Sequence, residues 1–348
     1  MSWEATACRS AASATAAVLP WRGMILAVDE SGSFAQDSER LSFFVMVHLR
    51  QRKTLYKSKQ AAFERWQGAL PACLKNAKGE IKGSALSEEH LEGFARQVMR
   101  AHPHVGITPL AIRPSENPPA VVEKHRTVQL TGIRDGSRLY AEQGKKELAL
   151  TYENFGHWFA KLNYPQYLKL NLLGLCIASG LVNTVGHAVT GGYDEELPRT
   201  RFLLDRDFVK APEQHIFWRQ VLRSQLFAFT KDDPLPLLDK WKKKGHPFLT
   251  KYAPEGRLNF AELFQEWCSF VDSRDYLEIR IADVAATILS RCLNDETCRG
   301  AYDLIEHCIL RDGKVHQFTF DDCDLSTYRH DRSRNPWLRD SETPKPGI

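Results

Sequence analysis

The chain has 348 residues, 43% of them apolar and 26% charged, and a formal net charge of +4, the balance of a globular protein with a sizeable core. That charge is compatible with a polyanionic partner without being evidence for one. The eight cysteines form no CxxC pair and no recurrent spacing, which argues against a zinc ribbon or a disulfide scaffold and for reduced thiols in a cytoplasmic setting.

Residues 1–23 are rich in Ala, Ser and Thr and are expected to be a disordered extension, or to precede a true start at Met24. The run Met24-Ile25-Leu26-Ala27-Val28 has no polar alternation and predicts a strand buried on both faces. It ends at Asp29 and Glu30, and Gly32 in the following Ser31-Gly32-Ser33 permits a tight turn. A second β-rich run over 41–49 (LSFFVMVHL), reached through turn-like residues 37–40, predicts an antiparallel hairpin with the first. Residues 55–74 predict a helix. Ser87 followed by Glu88 and Glu89 predicts the capped start of another. His102 and His104 read as loop residues, not as a metal pair, because no acid or cysteine stands at matching spacing.

A strand is expected over 105–112, limited by Pro109, and a Pro-rich break over 113–119 precedes helical pattern to about Val185. Within it, 168–185 is the most apolar stretch, yet Lys169, Asn171, Asn183 and two glycines make it a buried helix and not a membrane span. After Gly191-Gly192 a strand over 200–204 is expected to end in Asp205-Arg206-Asp207, and Pro212 to open a helix. Residues 231–259 are polar and lysine-rich and predict a surface excursion. The last long helix, 277–293, places Ile281, Ala285, Ile288 and Cys292 on one side and Asp283, Thr287, Ser290 and Asn294 on the other. A polar tail occupies 326–348, so 24–325 is expected to be one domain with helical and loop insertions.

Acids at element boundaries carry the chemistry. Asp29 ends a strand, Glu80 precedes a helix, Asp205 ends a later strand and Asp283 lies near the start of the last helix. Taken singly, each has an ordinary reading as a turn acid, a surface pair with Lys82, a strand-ending Asp or part of a solvated helix face. If they converge, their repulsion calls for a hard, oxygen-liganded cation such as Mg²⁺ or Mn²⁺. Two such ions about 3.5–4 Å apart activate water and stabilise the leaving oxygen in phosphodiester cleavage.

At these points the chain resembles a known family. The DESG turn at 29–32, the segment Glu80-Ile81-Lys82-Gly83-Ser84, the Asp205 strand end and Ile281-Ala282-Asp283 look like domain of unknown function 3800 over residues 24–295. The resemblance implies an α/β, ribonuclease-H-like mixed sheet flanked by helices, and a metal-dependent nuclease of mobile-element or phage-defence settings. It implies that Asp29, Glu80, Asp205 and Asp283 hold two Mg²⁺ or Mn²⁺ ions. The family usually has Gln a few residues before the last Asp, where this chain has Arg280; that Arg is expected either to grip a substrate phosphate or to mark a divergent site.

Asp207 competes with Asp205, because only strand register separates them. Glu30 is expected to assist Asp29, being a second ligand only if the strand ends between them. Lys82 either contacts a phosphate or balances Glu80. Lys240, Lys242, Lys243 and Lys244 around Trp241 form a candidate nucleic-acid surface. The alternative to a nuclease is a catalytically inactive ribonuclease-H-like module that binds nucleic acid or protein. A nucleotide hydrolase of the actin-like kind lacks its second phosphate loop. A haloacid-type phosphotransferase lacks its second Asp, Ser31 standing there, and no Ser/His/Asp arrangement is evident around Ser31 or Ser33.

Overall fold

The computed structural model describes residues 23–75, 81–101, 105–205, 235–258, 268–310 and 314–320. Strands β1 (Met24–Ser31) and β2 (Ser42–Arg50) form the expected antiparallel hairpin, in register Met24 to Arg50 and Ser31 to Phe43. Gly32 turns the chain at φ +111°, where a Cβ would also run into Ser42. Helix α1 (Lys53–Gly68) follows, then α2 (Glu88–Phe94), whose Ser87 cap and His90 side chain form a reciprocal capping box. The helix continues in π geometry over Ala95–Arg100.

Strand β3 (Val105–Ile112) pairs antiparallel with β2 along its whole length, Pro109 included. Its tolerance follows from geometry. The Ile107 carbonyl accepts from Leu310 N–H on the outer side, so alternation turns the nitrogen of residue 109 outward too. There it falls between the Ile107–Ile309 bridge and the first pair with β8, Leu110–His316, where no ladder bond is asked of it.

Three helices separate β3 from the next strand: α3 (Pro119–Glu142), α4 (Lys146–Phe159) and α5 (Tyr164–Gly191), the last closed by Gly192 in left-handed conformation, φ +69°. Gly191-Gly192 is thus a helix end. Strand β4 (Arg201–Asp205) pairs parallel with β1, and after β5 (Leu235–Pro236), α6 (Pro247–Tyr252) and β6 (Arg257–Leu258), β7 (Cys268–Val271) pairs parallel with β4. Helices α7 (Leu277–Asp295) and α8 (Arg299–Ile305) and strand β8 (His316–Phe318) complete the described chain. The main sheet has the order β7-β4-β1-β2-β3-β8. It is a mixed sheet with a core on each face, an α/β architecture.

The pleat decides which side chain joins which core. Met24, Leu26 and Val28 pack with Leu168, Leu172 and Cys176 of α5, whereas Ile25 and Ala27 pack with Ile281, Ala285 and Ile288 of α7. Helix α5 is long and apolar enough to cross a membrane, with mean hydropathy 1.6 over its best window, and 72% of that window is buried inside the fold. Within this fold its apolar residues belong to the core on one face of the sheet.

The surface excursion is corrected over its described part, 235–258. Leu237, Trp241, Phe248, Leu249 and Leu258 are buried in the α5 core, and a Cβ at Gly186 would overlap the Trp241 ring. A polar composition concealed anchors spaced too irregularly for any periodic pattern. The helix expected after Pro212 and the tail from 326 lie outside the described residues.

Candidate functional site

The carboxyl ends of β1 and β4 lie side by side. Val28 pairs with Leu204 in the parallel register, so Asp29 and Asp205 occupy the next level of adjacent strands. Alternation continues the pattern of both strands: Asp29 follows Ile25 and Ala27, and Asp205 follows Leu203, all on the α7 face. Asp205 is only 6% exposed. Across from them α7 presents Asp283, half-buried, on a helix whose Ile281, Ala282 and Ala285 are sealed in the core.

The electrostatics reflect this proximity. The Asp29 carboxyl is pushed well above its usual 3.8 by burial first, then by Asp283 and Asp205, against a lowering bond from Glu30 N–H to its Oδ1 at 2.8 Å. Asp205 has the Lys82 ammonium 3.8 Å away. Asp283 Oδ2 accepts Gly83 N–H at 2.8 Å.

The polar side of α7 is therefore a docking strip, not a solvated face. Asp283 takes Gly83 N–H, Thr287 fills the space where a Gly83 side chain would stand, and Arg291 donates to the Leu86 and Ser84 carbonyls at 2.6 and 2.8 Å. One turn further, Asn294 accepts Leu41 N–H at 2.6 Å and donates to the Leu41 carbonyl at 2.9 Å. Residues four and three apart share a helix face, which lets one strip hold two backbone segments. The effect is to fix Lys82 and Gly83 beside Asp205 and Asp283.

Glu30 belongs to the other face. Strand β1 runs on through Ser31, so Glu30 follows Met24, Leu26 and Val28 toward α5 and does not join Asp29. Its Oε1 accepts from Lys169 Nζ at 2.6 Å, and its buried Oε2 has no hydrogen-bond partner. Burial raises the Glu30 carboxyl, Lys169 opposes that, and Asp205 adds to it.

Other sequence candidates stand elsewhere. Arg280 turns to α1, with its guanidinium 4.9 Å from the Phe63 ring centroid and a bond to Gln67 Oε1 at 3.4 Å. Lys240, Lys242, Lys243 and Lys244 are exposed near the far end of α5; Lys242 pairs with Asp239 at 2.7 Å and Lys243 donates to the Val189 carbonyl at 3.0 Å. Gly186, which packs on Trp241, lies 17 residues beyond Lys169, about 25 Å along the helix at about 1.5 Å per residue. Trp241 itself is 3% exposed and has no face to offer a base. Glu80 and Asp207 lie outside the described residues. Sequence reading placed Gly83 in the 80–84 segment and Thr287 on the polar side of the last helix without a role for either, and did not single out Arg291; all three act by tertiary contact. It noted Lys169 only as a polar interruption, although Lys169 is the one charged side chain from Tyr164 through Gly186.

The donor set suits a hard divalent cation in kind: three carboxylates on one sheet face, with the charged form of Asp29 disfavoured by burial first and then by Asp283 and Asp205. In number it is incomplete, since among the described residues no three His, Cys, Asp or Glu side chains are grouped closely enough to share one ion. A scan against protein-family models and searches of curated proteins and of solved structures each return no match to this chain.

Proposed function

We propose that the chain is a divalent-metal-dependent nuclease built on a ribonuclease-H-like fold. The observation that carries the reading is the meeting of Asp29, Asp205 and Asp283 at the carboxyl ends of two parallel strands, beside a helix. An antiparallel β1-β2-β3 meander, extended on the β1 side by parallel β4 and β7, supports the fold assignment. Asp29, Asp205 and Asp283, with Glu80, would hold Mg²⁺ or Mn²⁺, whose chemistry is to activate water and offset charge on the leaving oxygen.

The chain's own contribution is orientation. Glu30 N–H fixes one oxygen of Asp29, and Gly83 N–H fixes one oxygen of Asp283. Lys82 offsets charge at Asp205. The incomplete ligand grouping and this ion pair also favour a second reading, a binding module of the same fold without catalysis.

The test is cleavage of labelled single-stranded and duplex DNA, RNA and hybrid, with Mg²⁺, Mn²⁺ or chelator. Metal-dependent cleavage should fall at least about 100-fold in Asp29→Asn, as removal of a group acting in the transition state does. Equal cleavage by both proteins, or none by either on any substrate, sinks the nuclease reading.

A further inference from the structure

Helix α5 carries one charge in its first six turns, and the fold delivers it to the same strand ends as the acids. Lys169 Nζ lies 2.6 Å from Glu30 Oε1 and 5.3 Å from the Phe34 ring centroid, and its side chain stays 26% exposed. Phe34 is fully buried at φ +53°, a left-handed conformation that a bulky side chain adopts at a cost of about 1–3 kcal/mol. Its N–H is tied to Ser42 Oγ at 3.2 Å. Strained backbone, carboxylate and aromatic face together make a socket for one ammonium.

A strut between helix and strand needs none of this. An apolar pair at the same contact would avoid the desolvation of two charges, and half-buried ion pairs add little stability. We infer that Lys169, held ready by Glu30 and Phe34, is a phosphate-binding residue for a nucleic-acid backbone crossing the carboxyl ends of β1 and β4. It acts on the sheet face opposite Asp29, Asp205 and Asp283, while Lys82 stands on theirs. A polyanion approaching three carboxylates meets repulsion, and a cation on each face of the sheet offsets it on both sides of the strand ends. The inference rests on the nucleic-acid reading of the site but not on catalysis.

The experiment is fluorescence anisotropy of labelled single-stranded DNA, duplex DNA and RNA with the full chain, titrated with salt in Ca²⁺ to separate binding from cleavage. Lys169→Met should weaken binding about 5- to 10-fold and reduce the salt slope by about 0.7 to 0.9, the loss of one phosphate contact, while Lys169→Arg retains both. Lys169→Met leaves the Glu30 carboxylate unpaired, so the double variant Glu30→Gln/Lys169→Met, which removes both charges, guards against misfolding and should show the same loss. Unchanged affinity and slope in the double variant, or no binding by the wild type, overturns the inference. Binding lost with Lys169 in a protein that cleaves nothing upholds it while removing the nuclease. Cleavage by a wild type whose binding ignores Lys169 does the reverse.

Discussion

Lys59 offers a test of the fold's electrostatics that is independent of any activity. It sits on α1, 2% exposed, and its ammonium has no hydrogen-bond partner. The groups facing it come from each packed element: Glu278 at the start of α7, Arg50 at the end of β2, and Cys308 in the turn after α8. Glu278 is committed to Gln51 at 2.7 Å, and Arg50 to Glu196 at 2.5 Å. Burial therefore lowers Lys59 from 10.5 to about 7, with Glu278 opposing, Arg50 assisting and Cys308 opposing. At about 1.36 kcal/mol per pH unit, that drop is a penalty of about 5 kcal/mol. The unfolded chain keeps the proton to higher pH than the native one. The penalty is thus fully present below about pH 7 and fades as pH rises to 10.5. Lys59→Met keeps the aliphatic volume and removes the charge. It also removes an attraction on Glu278, so about half the penalty, roughly 2–3 kcal/mol, should return as stability at pH 6. Urea unfolding at pH 6 and pH 10 reads it: a higher midpoint for the variant at pH 6 and a gap that closes by pH 10. A variant less stable at pH 6, or a gap equal at both values, refutes the reasoning.

Asp29→Asn should change the pH profile in the opposite sense. The native Asp29 carboxyl titrates well above 3.8, so wild-type stability falls as pH climbs through 3.8 toward the native value, and the variant lacks that fall. Mg²⁺ at ten to a hundred times its dissociation constant should stabilise the wild type by about 1.4–2.7 kcal/mol and the variant little, read by thermal melting; identical Mg²⁺ shifts would deny Asp29 a metal role. Gly83→Ala forces a methyl into Thr287 and should cost about 1–3 kcal/mol, seen as a lower urea midpoint; no change would mean the 82–86 segment is free to move off α7. Trp241→Ala should cost about 3–5 kcal/mol of stability while leaving nucleic-acid affinity at low temperature unaltered, because the ring is core. Affinity lost without stability would restore Trp241 as a stacking surface.

Several elements were legible because their signals are local. The unbroken apolar run at 24–28 required burial on both faces, Ser87 required a helix start, and Ile281, Ala285 and Ile288 declared the buried side of α7. The same pattern placed Asp283 on the polar side but left open what that side meets. Solvent was the ordinary answer; the backbone of Gly83, Ser84 and Leu86, and of Leu41, is what it meets. Residues 235–258 misled for the complementary reason. Their anchors contact a helix about 50 residues earlier, and no short-range period records such a contact.

The two opening acids show the division most sharply. Sequence by itself put Asp29 and Glu30 at the end of a buried strand and, by the two-residue repeat of the pleat, made them face opposite ways wherever the strand continues. Only tertiary structure showed that it does continue, to Ser31, and which helix covers each face. Asp29 is thereby set among Asp205 and Asp283, and Glu30 against Lys169. Alternation is a property of the chain; the identity of the neighbour across a face depends on segments more than a hundred residues away.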